Sequence, residues 1–336
     1  MFSAKKLLIT LVAIISISLS GCEKELNLGE SKSTQTAVFD DLWNFMNTHY
    51  AMFTLKKVNW KQVYDEFRPQ VKDEMSDQEL YRLINSMLYT LKDGHVSLMT
   101  KTDTATYLNF YKPFPKNFNY SNVLNFYLNN DVQFSGPIAY KIVNRVGYMY
   151  IESFSRTISD GDLDRIFAAM KDTKGLIVDI RNNTGGQSIN AEKLYSRFIS
   201  ERKLVKYEVT KKGPQPNDFY EPEPFYISPK PSAYKNRIAI LTNRMCFSTC
   251  NDFALYMSLL PNVTLIGDVT GGGAGNPNNY ILLNGWKLQY SATYTLSPSK
   301  ESIEDGILPT VPIEITNADE GSGKDPILEK AFELLQ

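Results

Sequence analysis

Gly175-Leu-Ile-Val-Asp-Ile-Arg-Asn-Asn-Thr-Gly-Gly186 decides how the rest of the chain is read. Leu176 to Ile180, apolar but for Asp179, make a run of the length of a buried strand, and it stops in Asn, Thr and two glycines, a turn composition. Upstream, Tyr148 to Phe154 reads as a strand and Asp160 to Lys171 as a helix. Downstream come a helix around Ile189 to Ile199, hairpin-like segments with a Pro-rich loop over 213–231, and the buried strand Arg237-Ile-Ala-Ile-Leu-Thr242. A helix starting near Ser248, strands near Leu265, Ile281, Leu288 and Ile313, and a terminal helix from Pro326 to Leu335 complete the pattern. Strands alternating with helices predict a layered α/β domain over residues 141–336.

Before residue 141 the texture differs. Phe39, Leu42, Trp43 and Met46, then Leu80, Leu83, Ile84, Met87, Leu88 and Leu91, recur at helical spacing. They predict a small helical domain of three helices over 36–101, with Ser76 and Glu79 as a capping box. Residues 102–140 lack a clear period and read as connector loops with room for a hairpin. At the start, Lys5 and Lys6 precede an apolar run from Leu7 to Leu19, too short to span a bilayer, which reads as an export signal. Leu19-Ser20-Gly21-Cys22 resembles a bacterial lipobox, so a signal over 1–21, a lipidated Cys22, a polar tether over 22–35 and a membrane-anchored place in the cell envelope are expected. A plain signal or a start-anchor helix is the alternative.

The balance of 36 basic against 37 acidic residues, a net charge of −1, offers no nucleic-acid footprint. With Cys22 set aside, Cys246 and Cys250 remain, and two cysteines four apart make neither a disulfide framework nor a metal pattern. Buried thiols are expected. Two histidines leave two candidates for imidazole chemistry. His95 follows Leu91-Lys-Asp-Gly94, a helix ending in glycine, which predicts an exposed helix exit at a cleft. His49 falls mid-helix beside Tyr50, where packing or surface roles are usual. Ser248 lies where a buried strand turns into a helix, so the Thr249 N–H and the positive helix end could stabilise an oxyanion, although serine at such a place is also the ordinary helix cap. Gly185 or Gly186 could supply the second amide, since clefts in α/β sheets lie at the carboxyl ends of strands; an ordinary helix-entry turn is the alternative.

Taken together and in this order, Leu91-Lys-Asp-Gly-His95, the 175–186 run, Phe247-Ser-Thr-Cys-Asn-Asp-Phe253 and Ile266-Gly-Asp-Val-Thr-Gly271 resemble the tricorn-like and C-terminal processing serine peptidases. The resemblance covers roughly residues 38–315 and implies a crotonase/ClpP-like core of β-β-α units and peptide-bond hydrolysis through a serine acyl-enzyme. One catalytic style of that family uses a lysine after the nucleophile helix, where this chain has Thr270-Gly-Gly-Gly-Ala-Gly275. The tricorn-like style takes its base from Asp-Gly-His, which this chain has. The resemblance therefore implies Ser248 as nucleophile, His95 as base and Glu304 as the acid orienting it, with Asp305 and Glu301 as alternatives and Ser97 as an auxiliary. Asn251 and Asp252 depart from the family pattern, and 102–140 is too short for a PDZ module. Ser248 lacks the Gly-x-Ser-x-Gly elbow, no His-Glu-x-x-His exists, and no phosphate loop follows the glycines, so neither metal nor cofactor is expected. The expected partner is a peptide or unfolded protein. The rival reading is a non-catalytic envelope binder of apolar ligands or peptides, as in interphotoreceptor retinoid-binding protein, which shares the fold; 20 Tyr and 18 Phe could line such a cleft.

Overall fold

The computed structural model describes residues 33–231 and 233–336. The signal segment, Cys22 and most of the tether expected at 22–35 lie outside the described residues. Three helices open the fold: α1 (Gln35–His49), α2 (Trp60–Phe67) and α3 (Asp77–Tyr89). Their apolar stripes supply Phe39, Leu42, Met46, Leu80, Ile84 and Met87, each fully buried. Ser76 and Glu79 form the capping box read from the sequence.

The chain continues through β1 (Ser97–Met99), β2 (Thr104–Thr106), α4 (Tyr120–Asn122) with a π turn over Val123–Tyr127, and β3 (Gln133–Ser135). Then follow β4 (Ile138–Val143), β5 (Val146–Tyr150), α5 (Asp160–Met170), β6 (Gly175–Asp179), α6 (Ser188–Tyr195), β7 (Lys203–Thr210), β8 (Glu223–Ile227), β9 (Arg237–Thr242) and α7 (Thr249–Ser258). The last third holds β10 (Val263–Gly267), β11 (Pro277–Ile281), β12 (Lys287–Ser291), β13 (Thr293–Leu296), β14 (Val311–Pro312), α8 (Asn317–Gly321) and α9 (Pro326–Leu335).

A seven-stranded sheet ordered β14-β10-β9-β6-β5-β4-β3 carries the core, and its run from β14 to β5 is parallel. Every residue of β6 is buried, as a parallel strand covered on both faces requires. The mixed α/β architecture with its leading helices is the fold class the sequence implied. Several details differ. The strand expected at Tyr148 to Phe154 starts at Val146 and ends at Tyr150, because Asn144 and Arg145, both at positive φ, close a two-residue hairpin between β4 and β5. The helix expected to reach Ile199 ends at Tyr195. Part of the loop expected over 213–231 is β8, where Pro224 is tolerated because β8 is the edge of the sheet β13-β7-β8. β1, within the span 36–101 read as helical, pairs with β12 in the sheet β11-β12-β1-β2. That long-range pairing has no local sequence signal.

Candidate active site

β6 and β9 are adjacent and parallel, with Asp179 opposite Leu241, so the turns leaving their carboxyl ends lie side by side. Asparagines stitch those turns together. Asn182 N–H donates to Asn243 Oδ1 at 3.0 Å, Asn243 Nδ2 donates to Asn182 Oδ1 at 2.7 Å, and Phe247 N–H donates to Asn183 O at 3.1 Å. Ser248 follows at the N-terminus of α7 with φ 58° and ψ −126°, a strained backbone for a residue with a Cβ. Its own N–H is held by Gly272 O at 2.9 Å, which fixes the strained turn.

His95 arrives from the other end of the chain. The helix before it ends at Tyr89, and the left-handed residue is Lys92 (φ 49°) rather than the glycine expected there. The expected exposed exit is instead a buried one, with His95 only 6% exposed. Asp93 shapes the turn: Oδ1 accepts the His95 backbone N–H at 2.8 Å, while Oδ2 accepts the Tyr50 and Ser291 hydroxyls at 2.9 and 2.8 Å. Gln289 Nε2 donates to His95 O at 3.1 Å. The imidazole is thus pinned between the leading helices and β12. His95 Nε2 lies 2.9 Å from Ser248 Oγ, across 153 positions of sequence.

The oxyanion candidates also converge. A Cβ built on Gly185 (φ 95°) would lie 2.9 Å from Ser248 Cβ and 3.0 Å from Thr249 N, so only glycine permits this approach. The Gly185 N–H is spent on Asn183 Oδ1 at 2.8 Å. Those of Gly186 and Thr249 donate to no acceptor among the described residues. The Thr249 hydroxyl donates to Gly186 O at 2.7 Å and ties the two turns together.

The acidic candidates are placed differently. Glu304 is buried near the site, but its carboxylate accepts Ala274 N–H at 2.7 Å and forms an ion pair with Lys56; it makes no hydrogen bond to His95. His95 Nδ1 is buried without a partner among the described residues. Asp305 is exposed at the rim of a cavity of about 450 Å³ beside Phe247, and Glu301 is exposed with Ser299 as its hydroxyl donor. Ser97 is buried in β1 and its hydroxyl bonds neither His95 nor Ser248. His49 closes α1, rather than sitting in its middle, and stacks on Phe45 at 4.2 Å. Cys246 and Cys250 are free and buried, both directed at Ile180 O.

Burial pushes the His95 pKa below the ordinary histidine value; Asp93 and Asp252 oppose this, and Lys56 reinforces it. The imidazole is therefore neutral, and able to accept a proton, at neutral pH. Burial and then Asp93 push Glu304 up to about 7 against the pull of Lys56. Lys56 is a partner that sequence reasoning missed, and no motif marks it. Asn251, one of the family departures, bonds Ile303 O and Thr270 Oγ1, holding the segment that carries Glu304. Asp252, the other, is paired with buried Lys206 at 2.7 Å. The glycine run has a steric purpose: a Cβ on Gly272 would lie 1.8 Å from Glu304 O.

A hydroxyl on a strained turn, a neutral imidazole in hydrogen-bond reach and two amides with no acceptor among the described residues are the parts that serine hydrolase chemistry uses, here on an α/β scaffold. The comparisons agree. The description "Peptidase family S41" matches residues 145–313, and "Tricorn protease C1 domain" matches 34–89. A crystal structure of a protein from Parabacteroides merdae shares 40% identity, with TM-score 0.86 over 90% of this chain and 97% of that one. Mature CPAF complexed with lactacystin gives TM-score 0.66 at 12% identity over 90% and 97% of the two chains. The tricorn protease gives 0.58 at 17% identity over 90% of this chain and 36% of its own. The chain belongs to peptidase family S41, and it is a tricorn-like serine peptidase.

Proposed function

We propose that the protein hydrolyses peptide bonds through a Ser248 acyl-enzyme with His95 as its base. One observation carries this: the 2.9 Å contact between Ser248 Oγ and His95 Nε2 at the strained start of α7. As Ser248 Oγ attacks the scissile carbonyl carbon, His95 Nε2 takes the hydroxyl proton. The oxyanion that forms accepts hydrogen bonds from the Thr249 and Gly186 amides. When the C–N bond breaks, His95 returns the proton to the leaving amine. Water then attacks the ester by the same route and frees Ser248.

Glu304 acts on this pair through charge. The charge of Lys56 disfavours the imidazolium that forms during attack, and ionised Glu304 neutralises Lys56. Asp93 holds the histidine turn. At the other end of the chain, the Lys5-Lys6 and Leu7 to Leu19 segment ending in Cys22 supports a lipid-anchored protein of the cell envelope, whose Cys22→Ala variant would leave the membrane fraction.

The test is active-site labelling. An organophosphonate should modify the wild-type protein and not Ser248→Ala, and the wild type should cleave a peptide library that Ser248→Ala and His95→Ala leave intact. Loss of kcat/KM on the order of 10⁴-fold is expected for either variant. A wild-type protein that neither labels nor cleaves would overturn the reading in favour of ligand binding.

A further inference from the structure

We propose that a second groove, which shares Lys57 with the cavity beside Phe247, binds an extended acidic segment of the peptide substrate. This deepens the peptidase reading and rests on it. The cavity of about 450 Å³ beside Phe247 has Lys56, Lys57 and Lys92 on one side and Phe110 on another. Lys56 is committed to Glu304, whereas Lys57 has no ion-pair partner among the described residues. Lys57 is exposed at the tip of a tight turn, with φ 55° and its N–H donating to Thr54 O.

Lys57 also lines a second cavity of about 610 Å³, between the leading helices and the Pro214-Gln215-Pro216 loop. One lysine common to both linings makes the two spaces neighbours. The second groove has aromatic walls: Trp43 and Trp60 exchange indole N–H bonds to each other's carbonyls at 3.1 Å, and Phe53 stacks on Trp60 at 5.2 Å. With the indole N–H groups satisfied in this way, the half-buried Trp43 and Phe53 rings offer apolar surface to an occupant, and Trp60, 4% exposed, backs them. The groove's charged lining is Lys57, Lys61 and Lys211, and no carboxylate contributes to it. Lys61 has Asp65 as a neighbour, but both are exposed, at 66% and 60%, so that pair holds little of the lysine's charge. Lys211 is 9% exposed, donates to Gln215 O and lies 4.8 Å over the Phe219 ring.

Three cations between aromatic walls, in a chain whose net charge is −1, form a local surplus that an anion complements. Two features favour peptide over a small anion. The first cavity is lined by Gly94 and Phe247, the residues just before His95 and Ser248, and an extended chain advances about 3.3 Å per residue, so a peptide lying in that cavity has a path across Lys57 into the second groove. Acidic side chains would meet the lysines while alternate apolar or proline residues meet the rings.

The experiment uses the Ser248→Ala protein, so that binding is read without cleavage. Two fluorescein-labelled peptides share one sequence alternating with Phe and Pro, one carrying Glu and the other Gln at the alternate positions. Anisotropy should show the Glu peptide binding about tenfold more tightly at low salt, with the difference collapsing at high salt and in Ser248→Ala/Lys57→Glu. The milder Ser248→Ala/Lys57→Gln variant should give an intermediate value, and near-UV circular dichroism confirms that each variant is folded. Equal affinities for the two peptides, or a preference untouched by both Lys57 substitutions, overturns the inference. Wild-type labelling at Ser248 by an organophosphonate separates the two claims: labelling without acid preference sinks the groove alone, and absent labelling sinks the peptidase reading.

Discussion

At the scale of single residues, the chemistry turns on how charge is arranged around one imidazole. Burial disfavours the protonated form of His95, the charges of Asp93 and Asp252 favour it, and the charge of Lys56 disfavours it. A general base works when neutral, so activity should rise with pH through a limb set by His95, below the ordinary histidine value. Lys56→Met removes the cation that holds that pKa down, and the acid limb of the kcat/KM profile should move to higher pH. Glu304, pushed up to about 7, is largely protonated over that limb, so Glu304→Gln should leave the limb in place and lower the plateau reached at higher pH, where ionised Glu304 would compensate Lys56. An unmoved limb in Lys56→Met, or a wild-type plateau in Glu304→Gln, would remove the Lys56–Glu304 pair from the mechanism. Lys56 itself stays protonated: burial opposes its charge, but Glu304 and Asp93 outweigh the penalty.

At the scale of elements, the site is a junction of two strand-to-turn-to-helix units, β6 into α6 and β9 into α7. Parallel pairing of β6 with β9 puts both turns at one edge, and the Asn182–Asn243 contacts set their separation. Gly185 is where that geometry leaves no room. Gly185→Ala places a methyl 2.7 Å from Phe247 O at a φ of 95°, so the turn must move away from Ser248. Displacing an oxyanion donor costs on the order of 10²–10³ in kcat, and Gly185→Ala should lose at least that much while its far-UV spectrum stays native. Wild-type kcat in Gly185→Ala would show that the turn does not serve the reaction.

At the scale of the whole molecule, ends of the chain distant in sequence are bolted together by buried polar groups. Arg181, fully buried just after β6, donates to Asp179 Oδ2 at 2.6 Å, to Asp325 Oδ1 at 3.0 Å and to Asn117 O at 3.3 Å, and it lies 4.5 Å over the Phe118 ring. It joins the central strand, the connector and the cap of α9. Arg181→Ala would strand two buried carboxylates, and a loss of about 3–5 kcal/mol of unfolding free energy in urea titration is expected. A loss below about 1 kcal/mol would mean that the network contributes specificity rather than stability.

Local patterns in the sequence determined the leading helices, the capping box at Ser76, the buried strands at 175 and 237, the start of α7 and the terminal helix, because periodicity, caps and turn residues act over a few positions. They also marked Ser248, His95 and the two glycines, since each lies in a run whose composition departs from its neighbours. Tertiary structure alone decided that His95 is buried, that β1 pairs with β12, that Glu304 bonds Lys56 instead of the imidazole, and that Lys57 touches two cavities. Each of those depends on which surfaces meet after the chain has closed loops of tens to hundreds of residues, and an ion pair or a strand pairing across such a loop leaves no period or spacing to read.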